Sequence, residues 1–226
     1  MTDLAGLRAT ASRALAVRAN SAKAGPMAAY MKTDMPFFGV QSPARREVAR
    51  MLKASYPPEG NDDYRAQIDA LWSLPHREEK YLALDLAMAY RRHIVMANLD
   101  LYRRLIVEGA WWDFVDEVAT GLVGKLLLTN REAMTPILYR WVDDPDMWIR
   151  RTALISQVGH KSATDPVMLF DFCVRRAGEK EFFIRKAIGW ALREYSKANP
   201  EAVRGFLAEH SGQLSGLSLR EASKYV

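Results

Sequence analysis

Helical periodicity runs almost unbroken along the 226 residues of this chain, while alternating β-branched runs bounded by hairpin turns are nearly absent. That combination restricts it to an all-α fold. Apolar spacing and breakers predict helices over 3–19, 26–33, 43–55, 62–73, 77–92, 98–108, 112–129, 131–142, 145–159, 165–177, 181–198, 200–210 and 218–225. Gly25-Pro26, Ser42-Pro43 and Asp144-Pro145 each read as a cap followed by proline at the first helical position. Asn199-Pro200 closes one helix and opens the next. Helices of this length with short connections build either a bundle or a stack of helical pairs, and the stack is preferred although no strict period is visible. The stretch Tyr56-Pro57-Pro58-Glu59-Gly60-Asn61-Asp62 reads as a flexible loop. No long linker interrupts the chain, so a single domain over 1–226 is expected.

Charge narrows the partners. A net charge of +5 and a pI near 9.3 favour a polyanion such as nucleic acid. The single cysteine, Cys173, has no internal partner and lies in an apolar run, where a buried thiol is expected. The N-terminus lacks an uninterrupted apolar signal region and no stretch is long enough to span a bilayer, so a bacterial-style cytoplasmic location without membrane association is expected. There is no Walker loop, no GxGxxG and no zinc-type Cys/His spacing, so neither a nucleotide nor a metal cofactor is expected.

Three segments break their own helical pattern. In the first, Met147, Leu154 and Val158 form an apolar stripe in which Arg151 occupies the missing step. A cation there must snorkel, meet a carboxylate or bind an anion. Arg150 pairs by spacing with Asp146 and reads as solvated. In the second, Ile184, Ile188, Ala191 and Tyr195 make a core stripe, while Trp190 shares a basic stripe with Lys186, Arg193 and Lys197. An aromatic among cations suits a nucleic-acid surface, and it equally suits a tryptophan packed on the next helical pair. In the third, Trp111, Val115, Val118 and Leu122 make a core face, leaving Trp112 and Asp116 one turn apart on another. Either that face presents an aromatic and a carboxylate to a ligand, or Asp113 is an N-cap with Asp116 as its accompanying acid.

The chain resembles the AlkD-type DNA alkylation repair family, bacterial alkylpurine glycosylases built of HEAT-like helical pairs. The likeness rests on four segments in order: Ala29-Tyr30-Met31-Lys32 with Met35-Pro36-Phe37-Phe38-Gly39-Val40, then Trp111-Trp112-Asp113-Phe114-Val115-Asp116, then Trp148-Ile149-Arg150-Arg151, then the run from Phe182 to Tyr195. The resemblance implies stacked antiparallel pairs forming a curved solenoid with a concave basic face. It implies that Asp116 is the catalytic carboxylate, that Trp112 and Trp190 bracket the lesion-bearing backbone, that Arg151 grips a phosphodiester, and that Tyr30 lines the same surface. The implied activity is hydrolysis of the N-glycosidic bond of cationic N3- and N7-alkylpurines in double-stranded DNA by a monomer, leaving an abasic site. A non-catalytic DNA-structure-binding protein of the same fold and a protein-interaction scaffold are the alternatives. Arg45, Arg46, Arg50 and Lys53, or Arg91 and Arg92, are candidates for flanking phosphate contacts or for solvated helix faces.

Overall fold

The computed structural model describes residues 2–225, all helix, turn and loop with no strand among them. Packing divides these residues into two compact units, 2–94 and 95–225. No helix in them is long and apolar enough to cross a membrane.

The first unit contains α1 (Leu4–Ala16), α2 (Ser21–Met31), α3 (Ser42–Ser55), α4 (Asn61–Trp72), α5 (Arg77–Ala89) and a 3-10 turn (Arg91–His93). Helices α1, α3, α4 and α5 enclose a core of Leu7, Leu15, Val48, Leu52, Tyr64, Ile68, Leu71, Leu82 and Leu86. Helix α2 contributes no buried residue. It begins five residues earlier than Gly25-Pro26 predicts, because the Asn20 carbonyl accepts from the amides of Lys23 and Ala24 and starts the ladder there. Pro26 therefore sits in the second turn, where its missing N–H forfeits one bond of an exposed helix. The loop after α2 is fixed by Glu78, fully buried, whose carboxylate accepts from the amides of Phe38, Gly39 and Val40 at 3.1, 2.8 and 3.0 Å. Gly39 adopts φ +82°, and a Cβ there would lie 2.1 Å from the Asn20 carbonyl oxygen, so both dihedral and space demand glycine. The loop expected to be flexible is tethered, its Tyr56 carbonyl accepting from the Tyr90 hydroxyl at 2.8 Å and its Pro58 carbonyl from Arg92 at 2.6 Å.

The second unit runs α6 (Leu99–Gly109), α7 (Trp112–Glu117), a π-helical segment (Val118–Val123), α8 (Gly124–Thr129), α9 (Arg131–Trp141), α10 (Met147–Ile155), α11 (Pro166–Arg176), α12 (Phe182–Ser196), α13 (Pro200–His210) and α14 (Gly216–Ala222), with short 3-10 turns between some of them. Helices adjacent in sequence pack on one another, as in a helical-repeat stack. The rod predicted over 112–129 is helical throughout and carries a wide π turn at its centre. Gly124 closes that turn: a Cβ there would lie 2.7 Å from the Ser156 carbonyl oxygen, and the Gly124 carbonyl meets His160 Nε2 at 3.0 Å.

Helix α10 departs most from its predicted one-sided stripe. Trp148, Ile149, Arg151, Thr152, Ala153, Leu154 and Ile155 are all buried, because α6, α7, α9, α11 and α12 surround it. Its cap is Asp146, whose carboxylate accepts from the amides of Trp148 and Ile149, so Asp144-Pro145 precedes the helix and does not open it. Arg150 is likewise corrected. It forms a fork with Glu179 at 2.9 and 3.1 Å and donates to the carbonyls of Asp144 and Pro145, because Asp146 is occupied with the helix end.

Candidate active site

Helix α7 starts at Trp112, and the residue before it, Trp111, is the extended N-cap without a side-chain capping bond. Asp113 is therefore not the cap that one sequence reading makes it. It is buried in the first turn with Oδ1 accepting from the Phe114 amide at 3.0 Å. The Trp111 ring turns inward against Trp148 and Phe183, with centroids 6.1 and 5.3 Å away, and Trp148 and Phe183 lie 4.9 Å apart. The approach to α7, the start of α10 and the start of α12 thus share one aromatic cluster.

Asp116 lies one turn after Trp112 on α7, and its carboxylate meets Arg151 of α10 in a two-pronged ion pair. Arg151 Nε donates to Oδ1 and Nη2 to Oδ2, both at 2.8 Å. Nη1 donates to the Phe183 carbonyl at 2.6 Å, and the guanidinium lies 5.8 Å from the Phe183 ring centroid. One arginine therefore ties α7, α10 and α12 together. Its side chain is 6% exposed and that of Asp116 is 18% exposed, so solvent reaches the carboxylate better than its partner. Burial pushes the Asp116 carboxyl above the usual carboxylate range, and hydrogen bonding and attraction from Arg151 pull against that shift. The Thr120 hydroxyl donates to the Asp116 carbonyl at 2.8 Å where the helix widens into the π segment, a distortion that recurs at functional sites.

Trp112 is half-buried on α7, and Trp190 is half-buried on α12 with Lys186 and Arg193 on the same stripe. That stripe is not simply solvated. Lys186 and Arg193 converge on Glu221 of α14 at 2.9 and 2.6 Å, and Lys197 pairs with Glu194 at 2.7 Å. Tyr30 belongs to the first unit, on α2, with 71% of its surface exposed. Among the cations offered for flanking phosphates, Arg45 is committed to Asp85 at 2.8 Å and to the face of Tyr81, while Arg92 donates to the Pro58 carbonyl. Sequence reasoning missed Phe183 and Glu221. Phe183 is half-buried beside Arg151 and its pattern differs little from Phe182; Glu221 lies on the short helix α14, and its α12 partners Lys186 and Arg193 are 35 and 28 residues away in sequence. Cys173 is fully buried, and burial raises its thiol far above the usual range.

An all-helical repeat scaffold that locks one carboxylate to one arginine beside an aromatic cluster delimits a narrow class of helical-repeat proteins. The family of DNA alkylation repair enzymes matches residues 11–226, and the chain belongs to that family. A solved structure described as a predicted DNA alkylation repair enzyme from Enterococcus faecalis is similar over 92% of this chain and 97% of its own, at 31% identity and a TM-score of 0.85. AlkD2 from Streptococcus mutans shares the fold at 15% identity and a TM-score of 0.65, over 89% of this chain and 98% of its own. The protein smu.31 from Streptococcus mutans UA159 shares it at 16% identity and a TM-score of 0.59, over 80% of this chain and 91% of its own. A search of curated proteins returns no significant match.

Proposed function

We propose that this DNA alkylation repair protein is a monofunctional glycosylase that releases cationic N3- and N7-alkylpurines from duplex DNA. The observation that carries the reading is the partly solvent-facing Asp116 carboxylate, held in one orientation by a buried arginine. An alkylated purine of this kind leaves already bearing positive charge, so departure requires no strong general acid. As the bond breaks, positive charge develops on the deoxyribose. A fixed carboxylate stabilises that oxocarbenium character and orients or deprotonates the attacking water. Trp112 and Trp190 supply aromatic faces for cation–π attraction and for excluding water, worth about 0.5–2 kcal/mol each.

Arg151 takes a double role in this reading. Three of the guanidinium's five N–H donors serve Asp116 and the Phe183 carbonyl. The reading assigns the two remaining donors to a phosphodiester, so that the residue that grips the backbone also aims the carboxylate. Tyr30, exposed on α2 of the first unit, is assigned a DNA contact. No lysine is assigned as a Schiff-base nucleophile, and the product is an intact abasic site.

The experiment is release of free base from a duplex carrying one 7-methylguanine, compared with duplexes carrying uracil or hypoxanthine. The proposal expects release of the cationic base alone. Efficient uracil release under the same conditions contradicts it, because the reading assigns no group to protonating a neutral leaving base. The absence of any base release while duplex binding persists favours the non-catalytic reading.

A further inference from the structure

Outside the Asp116 pair, three cations surround a single carboxylate on α14. Glu221 Oε1 accepts from Lys186 Nζ at 2.9 Å, and Oε2 accepts from Arg193 Nη1 at 2.6 Å and from Lys224 Nζ at 2.9 Å. Three cations from two chain segments are therefore gathered on one acceptor, with Trp190 between Lys186 and Arg193 on their stripe. The neighbouring carboxylates among the described residues do not cancel the excess. Glu194 approaches Arg193 at 3.9 Å and is matched by Lys197 at 2.7 Å, so among the described residues Lys186, Arg193, Lys197 and Lys224 form ion pairs only with Glu194 and Glu221.

Exposure is graded in a telling way. The Glu221 side chain is 14% exposed, against 22% for Arg193, 38% for Lys186 and 50% for Lys224. The acceptor lies beneath and the donors lie above it. Each lysine has three N–H donors and arginine five, of which this carboxylate takes one apiece, so unused donors remain on the solvent side. The arrangement is built rather than incidental. Gly189 of α12 lets α14 settle close, since a Cβ there would lie 2.5 Å from Glu221 Cβ and 3.0 Å from the Ser218 carbonyl oxygen. The Ser218 hydroxyl donates to the Arg185 carbonyl at 2.9 Å and fixes the register between the helices.

We propose that Lys186, Arg193 and Lys224 form a phosphate site beside Trp190, in which the Glu221 carboxylate holds the cations together and competes with a backbone phosphodiester of the bound duplex. The site extends the DNA-repair reading, on which the choice of ligand rests. A phosphodiester offers two anionic oxygens in much the geometry of a carboxylate, and neutralising one phosphate releases condensed counterions. Glu221 thus keeps the cations ordered without DNA and lowers affinity for it.

The test is binding of a fluorescent, unmodified duplex across a salt series, with thermal melting of each variant. Lys186→Gln combined with Lys224→Gln is expected to weaken binding about tenfold at low salt and to reduce the slope of log affinity against log salt by about one. Glu221→Gln is expected to tighten binding about fivefold at low salt, the effect of removing one unit of negative charge near contact in water. An unchanged slope in the double lysine variant, or weaker binding by a Glu221→Gln protein that melts normally, overturns the proposal. Should either protein fail to fold, Lys224→Gln alone, at an exposed position, is judged by the same slope criterion. Because the probe contains no lesion, failure of the site is read separately from failure of the glycosylase. Base release with an unaltered salt slope removes the site, and an altered slope without base release retains the site and removes the glycosylase.

Discussion

Two carboxylates meet cations from α12 or its neighbours, and they are built to opposite stoichiometries. Asp116 has one partner, Arg151, which engages both of its oxygens and is itself nearly sealed from solvent. Glu221 has three partners, each more exposed than itself. The first arrangement is neutral as a pair and rigid, suited to presenting one charge at a fixed angle. The second leaves a surplus of positive charge and spare donors, suited to receiving an anion from outside. A sequence reading that counts charges treats the two alike; burial and geometry separate them, and the roles proposed for them, reacting group and docking group, follow that separation.

The comparison is broken most severely by Arg151→Ala. Removing one partner of a buried pair leaves the other without compensation, and the three-helix tie through the Phe183 carbonyl is lost as well. A stability loss of about 3–5 kcal/mol is expected in denaturant unfolding. A loss below about 1 kcal/mol places Arg151 in a solvated pair of the ordinary surface kind. Arg151→Lys retains charge but not the fork, and its excision rate is expected to remain well below that of the parent protein.

Gly189→Ala attacks the other carboxylate through its scaffold. The added methyl overlaps Glu221 Cβ and presses on the Ser218 carbonyl, so α14 must shift from α12. Overpacking of this kind costs about 1–3 kcal/mol. The expected companion result is an altered salt dependence of duplex binding with little change in the rate of the chemical step. An unperturbed melting midpoint shows that α14 yields freely and that its approach is not tight.

A smaller effect distinguishes the two by pH. Hydrogen bonds from Lys224 and Lys186 hold the Glu221 carboxyl near 2, below its ordinary 4.5. The unfolded chain takes up that proton first as pH falls, so the stability contributed by the cluster is complete above about 4.5 and is lost as pH drops toward 2. The difference in melting midpoint between the parent and Glu221→Gln is expected to shrink over that range. Asp116 runs the other way: burial raises its carboxyl above 3.8, so the acid limb of the excision rate is expected above that value. A limb below 3.8 contradicts the burial assigned to Asp116.

Much of this was legible in the sequence because helices are local. The rod over 112–129, the start of α13 at Pro200 and the core stripe Ile184, Ile188, Ala191 and Tyr195 follow from spacing and breakers that act within a few residues. Arg151 stood out for the same reason, as a cation in an apolar row, although its partner did not. The π segment after Asp116 left no mark in the apolar spacing, and the contacts of Ser156 and His160 with Gly124 at its end come from residues more than thirty positions away. Ion-pair partners were the least legible. Spacing on one helix paired Arg150 with Asp146, whereas the fold commits Asp146 to a helix end and brings Glu179 from 29 residues away. The same blindness hid Glu221, around which Lys186 and Arg193 of the basic stripe are gathered.

The central claim is that Asp116 is a reacting group rather than one half of a structural ion pair, and Asp116→Asn tests it with the smallest change of shape. The measurement is the single-turnover rate of 7-methylguanine release from a duplex, taken on protein whose duplex affinity and melting midpoint are recorded alongside. Loss of a preorganised charge at the reacting centre costs about 2–4 kcal/mol, so the rate is expected to fall by roughly two to three orders of magnitude while duplex binding survives. The acid limb of the pH profile is expected to vanish with it. A variant that melts lower yet releases 7-methylguanine at nearly the parental rate assigns the Asp116–Arg151 pair to stability alone and contradicts the account.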